Sequence, residues 1–397
     1  MTQTSISFPF QNLQGTAISR ALKLLLFFFI AASLFCQFSS LTIGETCSTS
    51  GNNCGAGLLC STCPANGNTR PRCTRHQPTI PTTKIKGLSF NKYSWLTTHN
   101  SFAISGSKSA IGSDIFAPTN QEDSITAQLK NGVRGLMLDM YDFNNDIWLC
   151  HSFGGKCFNL TSFQPAINAL KEIQVFLEAN LSEIVTIFIE DYVASPQGLT
   201  KVFKASGLNK YWFPVSRMPK NGEDWPIVDD MIKKNQHGNG GLKFGSCPSR
   251  SESSPMNTKT ISLVLQNYFP DNPNMTAACA DNSAPLLSMT NTCYEASGKR
   301  WPNFIAVDFY QRNDAGGASE VVDHANGHLT CNCDSIAYCK INGSSTKCEV
   351  PKLSPPPPAQ LTPTAVKETS KDTSSYSKIS RPLHLHWLVD LIITIFF

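Results

Sequence analysis

Tyr93-Ser94-Trp95-Leu96-Thr97-Thr98-His99-Asn100-Ser101-Phe102 is an apolar, partly β-branched run that leads into a histidine. Such a run reads as a buried strand over Tyr93–Thr98. His99 then stands at the strand's C-terminal end, where parallel barrels collect their reactive groups. Further candidate strands follow at Gly135–Tyr141, Ile147–His151, Glu183–Glu190, Ile261–Tyr268 and Phe304–Tyr310. Candidate helices lie between or after them at Ser124–Asn131, Pro165–Ala179, Pro226–Lys234 and Glu320–Asn326. Alternation of this kind over residues 87–349 predicts an α/β domain, either a barrel or a doubly wound sheet.

The chain has 397 residues, 41% of them apolar and 16% charged, enough for a sizeable core and too apolar for a disordered chain. A net charge of +4 is too small and too evenly spread for a nucleic-acid partner. Of the 15 cysteines, Cys36 directly follows a run that reads as the core of a signal peptide and would be removed with it. That run is Arg20 and Lys23 followed by the apolar Leu24–Phe35, and residues 1–44 are assigned to the signal. Its loss leaves an even number of cysteines, which favours disulfides over zinc despite the Cys60-x-x-Cys63 spacing.

Residues 45–75 hold five cysteines and read as a small disulfide module; five is odd, so one is expected to pair with the main domain. Residues 76–86 read as a linker and 350–375 as a Pro/Ser/Thr-rich stalk. Residues 376–397 end in an abrupt apolar tail and read as a GPI-attachment signal. The expected address is therefore the cell surface, on the outer membrane leaflet. Sequons at Asn159, Asn180, Asn274 and Asn342 agree with a glycosylated, secreted chain.

Five titratable groups fall at or near strand ends: His99, Asp139, His151, Glu190 and Asp308. Singly, each has a plainer reading as a satisfied structural residue or a helix cap. Together, two histidines and several carboxylates on one barrel face could form an acid/base pair beside a cation site.

The motifs Trp95–Phe102, Gly132–Asp139, Trp148-Leu149-Cys150-His151, Ile189-Glu190-Asp191 and Phe304–Tyr310 resemble, in this order, the X domain of phosphatidylinositol-specific phospholipases C. The likeness is strongest to secreted plant PLC-like phosphodiesterases. It implies a TIM-type barrel. It also implies that His99 is the general base toward the inositol 2-hydroxyl and His151 the general acid toward the leaving lipid oxygen. Asp308 matches the carboxylate that orients His99. Asn100, Asp139 and Glu190 match the Ca2+ ligands of the eukaryotic signalling members, with Met137 standing where those have a further Glu. The implied substrate is a phosphodiester lipid or a GPI-type anchor.

One departure is larger. After Pro226–Lys234 the chain continues as the polar, Gly-rich Asn235–Gly241, and no apolar run follows before Ile261. A strand–helix unit of the barrel is thus expected to be missing near residue 236. Two other functions stay open. One is a catalytically silent surface protein that keeps the barrel as a binding scaffold. The other is a glycerophosphodiester phosphodiesterase, against which Met137-Leu138-Asp139 stands, since that family places Glu two residues before the Asp.

Overall fold

The computed structural model describes residues 40–84, 89–213, 232–234, 238–251, 253–260, 263–314, 316–342, 345–350 and 390–395. These belong almost wholly to one compact unit, Thr42–Phe397. The signal-peptide run and the stalk lie outside the described residues. No helix among the described residues is long and apolar enough to cross a membrane.

The N-terminal module is a hairpin of β1 (Leu58–Cys63) and β2 (Asn68–Arg75). Cys47–Cys60 and Cys54–Cys73 close it internally, and Cys63–Cys279 staples it to the main domain. This is the odd-cysteine pairing expected from the sequence. The stretch 76–84 is anchored rather than free: Thr79 donates to Asp323 through N (2.7 Å) and Oγ1 (3.0 Å), and Gln77 Nε2 donates to Asn131 Oδ1.

The main domain is α/β. Its strands are β3 (Trp95–Thr98), β4 (Gly135–Phe143), β5 (Asp146–Cys150), β6 (Ser162–Pro165), β7 (Val185–Tyr192), β8 (Ile232–Lys234), β9 (Leu263–Tyr268) and β10 (Phe304–Val307). Six of them form a parallel sheet in the order β7-β4-β3-β10-β9-β8. Helices α1 (Ile125–Lys130), α2 (Ala166–Ala179), α3 (Gly198–Ser206), α4 (Met275–Asp281), α5 (Ala284–Ala296) and α6 (Gly317–Thr330) lie between and after them. Ser124 caps α1 through Oγ, which accepts from Ala127 N, and Asn274 caps α4 in the same way. A hairpin of β11 (Cys339–Asn342) and β12 (Ser345–Cys348) follows α6, and β13 (Asp390–Ile395) lies antiparallel along β7. Among the described residues no ladder joins β8 to β7 or β13, so the sheet has two separate ends.

The expected strand Ile147–His151 is β5, which turns back antiparallel to β4, with β6 paired to it in turn. The tight Asn144-Asn145 turn, with both residues at positive φ, makes this reversal. Of the expected helix Pro226–Lys234, residues 226–231 lie outside the described residues, and Ile232–Lys234 needs correction: it is strand, because its backbone pairs with Leu263–Leu265 at the sheet edge.

Alternation along the strands divides the core in two. Leu96, Leu136, Leu138, Ile187, Ile189, Val264, Ile305 and Val307 face the helices in the larger cluster. Trp95, Met137, Phe188, Leu263, Leu265, Phe304 and Ala306 fill a second cluster on the opposite face. Gly135 permits the close approach of β4 to β3, since a Cβ there would lie 2.2 Å from Thr97 Oγ1.

Candidate active site

The face that carries this second cluster turns polar at the C-terminal ends of the strands. Continuing each alternation by two residues leads from Trp95 and Thr97 to His99, from Met137 to Asp139, from Phe188 to Glu190, and from Phe304 and Ala306 to Asp308. Asp139 and Glu190 are direct partners across the β4–β7 ladder. His151 arrives differently. The β4–β5 register pairs Met140 with Leu149, which carries Cys150 to the level of Asp139 and delivers His151 beside it.

His99 Nδ1 lies 2.9 Å from Asp308 Oδ1. A carboxylate oxygen there fixes the proton on Nδ1 and leaves the Nε2 lone pair outward. Asn120 Nδ2 donates to the same Asp308 oxygen at 2.9 Å, and Gln121 Nε2 donates to the His99 carbonyl at 2.8 Å. Phe269, just past the end of β9, stacks flat on the His99 ring at 3.6 Å. Asp308 is held by a strained turn: Phe309 has φ +45°, and Asn282 Nδ2 donates to the carbonyls of Asp308, Phe309 and Arg312. These three bonds offset the cost of a bulky residue in the left-handed region.

His151 Nδ1 donates to the Pro118 carbonyl at 2.9 Å, so its Nε2 is the atom turned to the site. Burial pulls this imidazole below its ordinary value. The Pro118 bond opposes that shift, the charge of His99 adds to it, and the charge of Asp308 opposes it.

Asn100, with φ +40°, lies between them. One end of its amide is 3.1 and 3.3 Å from the two Asp139 carboxylate oxygens, and the other end is 3.5 Å from His151 Nε2. With nitrogen toward Asp139 the amide donates to the carboxylate. With oxygen toward Asp139, oxygens converge at a spacing that a hard cation between them would explain. Tyr192 OH donates to Glu190 Oε2 at 3.1 Å, and Tyr141 stacks on Tyr192 at 4.2 Å. Burial first, and the nearby Asp139 and Glu190 charges second, push both phenols well above their ordinary value. The donor set thus fits a cation of Ca2+ chemistry, with Met137 packed among apolar side chains below it. Arg134, the nearest cation in sequence, cannot stand in. It is buried at the opposite strand end, where Nε donates to Glu183 Oε2 at 2.8 Å and Nη1 donates to the Leu129 carbonyl at 2.7 Å.

All six sequence-derived residues are therefore brought to one mouth. The supporting Asn120, Gln121, Asn282 and the Pro118 carbonyl come from segments with no periodic pattern, and so carry no signal by which pattern reading could find them. Phe269 could have been found by carrying the β9 alternation one step further. Around this mouth, Phe116 and Phe153 are each 82% exposed, with Phe158 and Leu160 beside them; Phe116 N donates to the Leu160 carbonyl at 2.7 Å.

The family profile described as PI-PLC X 1 matches residues 89–237. A PI-PLC X domain-containing protein of Arabidopsis thaliana is 47% identical over 364 residues, covering 85% of this chain and 84% of its own length. The chain belongs to the PI-PLC X domain-containing proteins. An uncharacterized secreted protein of Arthroderma benhamiae is 27% identical over 164 residues, covering 41% of this chain and 34% of that one. Among solved structures, a phosphatidylinositol-specific phospholipase C of Staphylococcus aureus covers 62% of this chain and 97% of its own, with 12% identity and a TM-score of 0.41. That of Listeria monocytogenes covers 62% and 98%, with 11% identity and a TM-score of 0.37. In this PI-PLC X domain the profile match takes in His99, Asn100, Asp139, His151 and Glu190, while Asp308 lies beyond it.

Proposed function

We propose that this PI-PLC X domain is an extracellular phosphodiesterase of the phospholipase C type. The observation that carries the reading is the pair His99 and His151, each with Nδ1 committed to an oxygen and Nε2 facing the same mouth. His99 Nε2 takes the proton of the attacking hydroxyl as its oxygen bonds to phosphorus. The leaving alcohol oxygen departs with a proton from Nε2 of His151 in its imidazolium form, since Nδ1 keeps its own proton on the Pro118 carbonyl. Asp308 is a positioning residue, holding His99 in the tautomer that leaves Nε2 unprotonated. Asn100, Asp139 and Glu190 would hold Ca2+, whose charge would offset that of the phosphodiester.

The exposed Phe116, Phe153, Phe158 and Leu160 at the mouth suit a lipid or other amphiphilic phosphodiester, including a GPI-type anchor. A secreted chain with a GPI-attachment tail would meet that substrate on the outer leaflet. Attachment through residues upstream of 376 would remove β13 and leave the β7 edge uncovered.

The test is product analysis with phosphatidylinositol, a lysophospholipid and a GPI-anchored reporter, each with Ca2+ or excess chelator. The expected product is a cyclic phosphodiester. Loss of a general acid or base costs roughly 10²–10⁴ in rate, so His99→Ala and His151→Ala should fall by that range; full activity in either would end the proposal. A catalytically silent binding protein is the second reading. It is favoured by Met137, which leaves the cation site with two carboxylates.

A further inference from the structure

A second cluster of ligating side chains stands at the other end of the strands. His324 and His328 are four residues apart on α6, hence on one face of the helix. Asn326 between them binds the Ser94 backbone twice, at 2.9 and 2.8 Å, just before β3 begins. The cluster therefore sits at the N-terminal strand ends, away from His99. One nitrogen from each histidine and one Asp334 carboxylate oxygen all lie within 4.8 Å of one another. His328 Nε2 is 4.0 Å from Asp334 Oδ1.

The surroundings hold these groups in place. Cys331–Cys339 and Cys333–Cys348 lock the loop that carries Asp334. Trp301 stacks on the His328 ring at 5.2 Å and meets the His324 ring edge-on at 5.4 Å. His324 Nδ1 lies 3.0 Å from the Asp334 carbonyl, which fixes its proton and leaves Nε2 its lone pair. Metal-binding imidazoles are commonly oriented in this way. The Asp334 side chain is 86% exposed, so the cluster is open to solvent.

Two imidazole nitrogens and one carboxylate oxygen suit a borderline first-row divalent ion, whereas Ca2+ asks for roughly six to eight oxygens. In a tetrahedral zinc site with bonds near 2.0–2.1 Å, neighbouring ligand atoms are about 3.4 Å apart. The cluster must then close by up to about 1.4 Å, to which rotation of the exposed Asp334 side chain and of the two partly exposed imidazoles can contribute. The geometry points to a Zn2+-class site formed by His324, His328 and Asp334, with water completing the shell, that clamps the last turn of α6 to the disulfide-locked loop. It differs in ligand chemistry and in place from the Asn100, Asp139 and Glu190 set.

The test is calorimetric titration of the full chain, made without a histidine tag, with ZnCl2 in millimolar Ca2+. One saturable site is expected, together with a rise in melting temperature. Binding should be lost in His328→Gln and weakened about tenfold or more in Asp334→Asn, and it should be unchanged in His99→Ala. Asp334→Asn alters a solvent-exposed side chain, so it keeps the test valid if a histidine variant fails to fold. Absence of saturable uptake, uptake that survives both substitutions, or uptake lost in His99→Ala would each overturn the assignment.

Discussion

Replacing Arg75 by Met should loosen the Cys-rich hairpin from the main domain in a pH-dependent way. Arg75, the last residue of β2, pairs with Asp323 on α6, whose side chain is wholly buried. Burial pushes the Asp323 carboxyl up to about 6, against the pull of Arg75 and of the Thr79 bonds. Its folded value therefore exceeds the unfolded value of about 3.9. The folded state takes the proton more readily, so this group's contribution is most favourable below about pH 4 and falls as pH rises toward 6. Two pH units amount to ~3 kcal/mol. Without Arg75 the folded value rises further, and the loss continues to higher pH. Breaking a buried pair costs about 3–5 kcal/mol, or roughly 6–20 °C in melting temperature for a domain of this size. Thermal unfolding by circular dichroism, with disulfides intact, should show a larger drop at about pH 7.5 than at about pH 5. Adding Asp323→Asn should recover part of it. Equal drops at the two pH values, or a drop under about 2 °C, would refute the reasoning.

Asp308→Asn should lower kcat by about 10²–10⁴ with KM little changed, since it removes the group that orients His99; unaltered turnover on a soluble phosphodiester would contradict this. Glu190→Gln should raise the Ca2+ concentration needed for half-maximal activity, measured in chelator-buffered assays. The double variant Phe116→Ser with Phe153→Ser should weaken vesicle binding while sparing turnover of a soluble substrate. Gly135→Ala should destabilise by about 1–3 kcal/mol, read by denaturant unfolding, because the new Cβ meets Thr97.

The strands were legible where both faces are buried, as in Leu136–Tyr141 and Phe304–Val307, because a fully buried strand is continuously apolar. His99, His151 and Glu190 were legible because they stand at the ends of such runs, Asp139 and Asp308 because a carboxylate interrupts one, and Asn100 only through the family resemblance. The direction of β5 was not, since an apolar run carries no sign of parallel or antiparallel pairing. Gly198–Ser206, Met275–Asp281 and Ala284–Ala296 were missed as helices. Their Thr, Asn and Ser content dilutes the helical period, and tertiary packing on the sheet decides their conformation. The seven disulfide pairings lay beyond spacing alone, although the parity of the N-terminal cysteines foretold Cys63–Cys279 in kind.

That staple has a temporal consequence. Cys47–Cys60 and Cys54–Cys73 span 13 and 19 residues, so each can close as soon as the hairpin has been synthesised. Cys63 must wait while 216 more residues are made, and during that interval its thiol stands beside two finished disulfides. A thiolate so placed can attack either of them, and every such exchange is an error that a further exchange must reverse. The N-terminal hairpin is thus the first part of the described chain to be made, yet its tie to the main domain can close only after Cys150–Cys157 has had time to form. The yield of native protein then depends on how quickly β9 and α4 form and present Cys279.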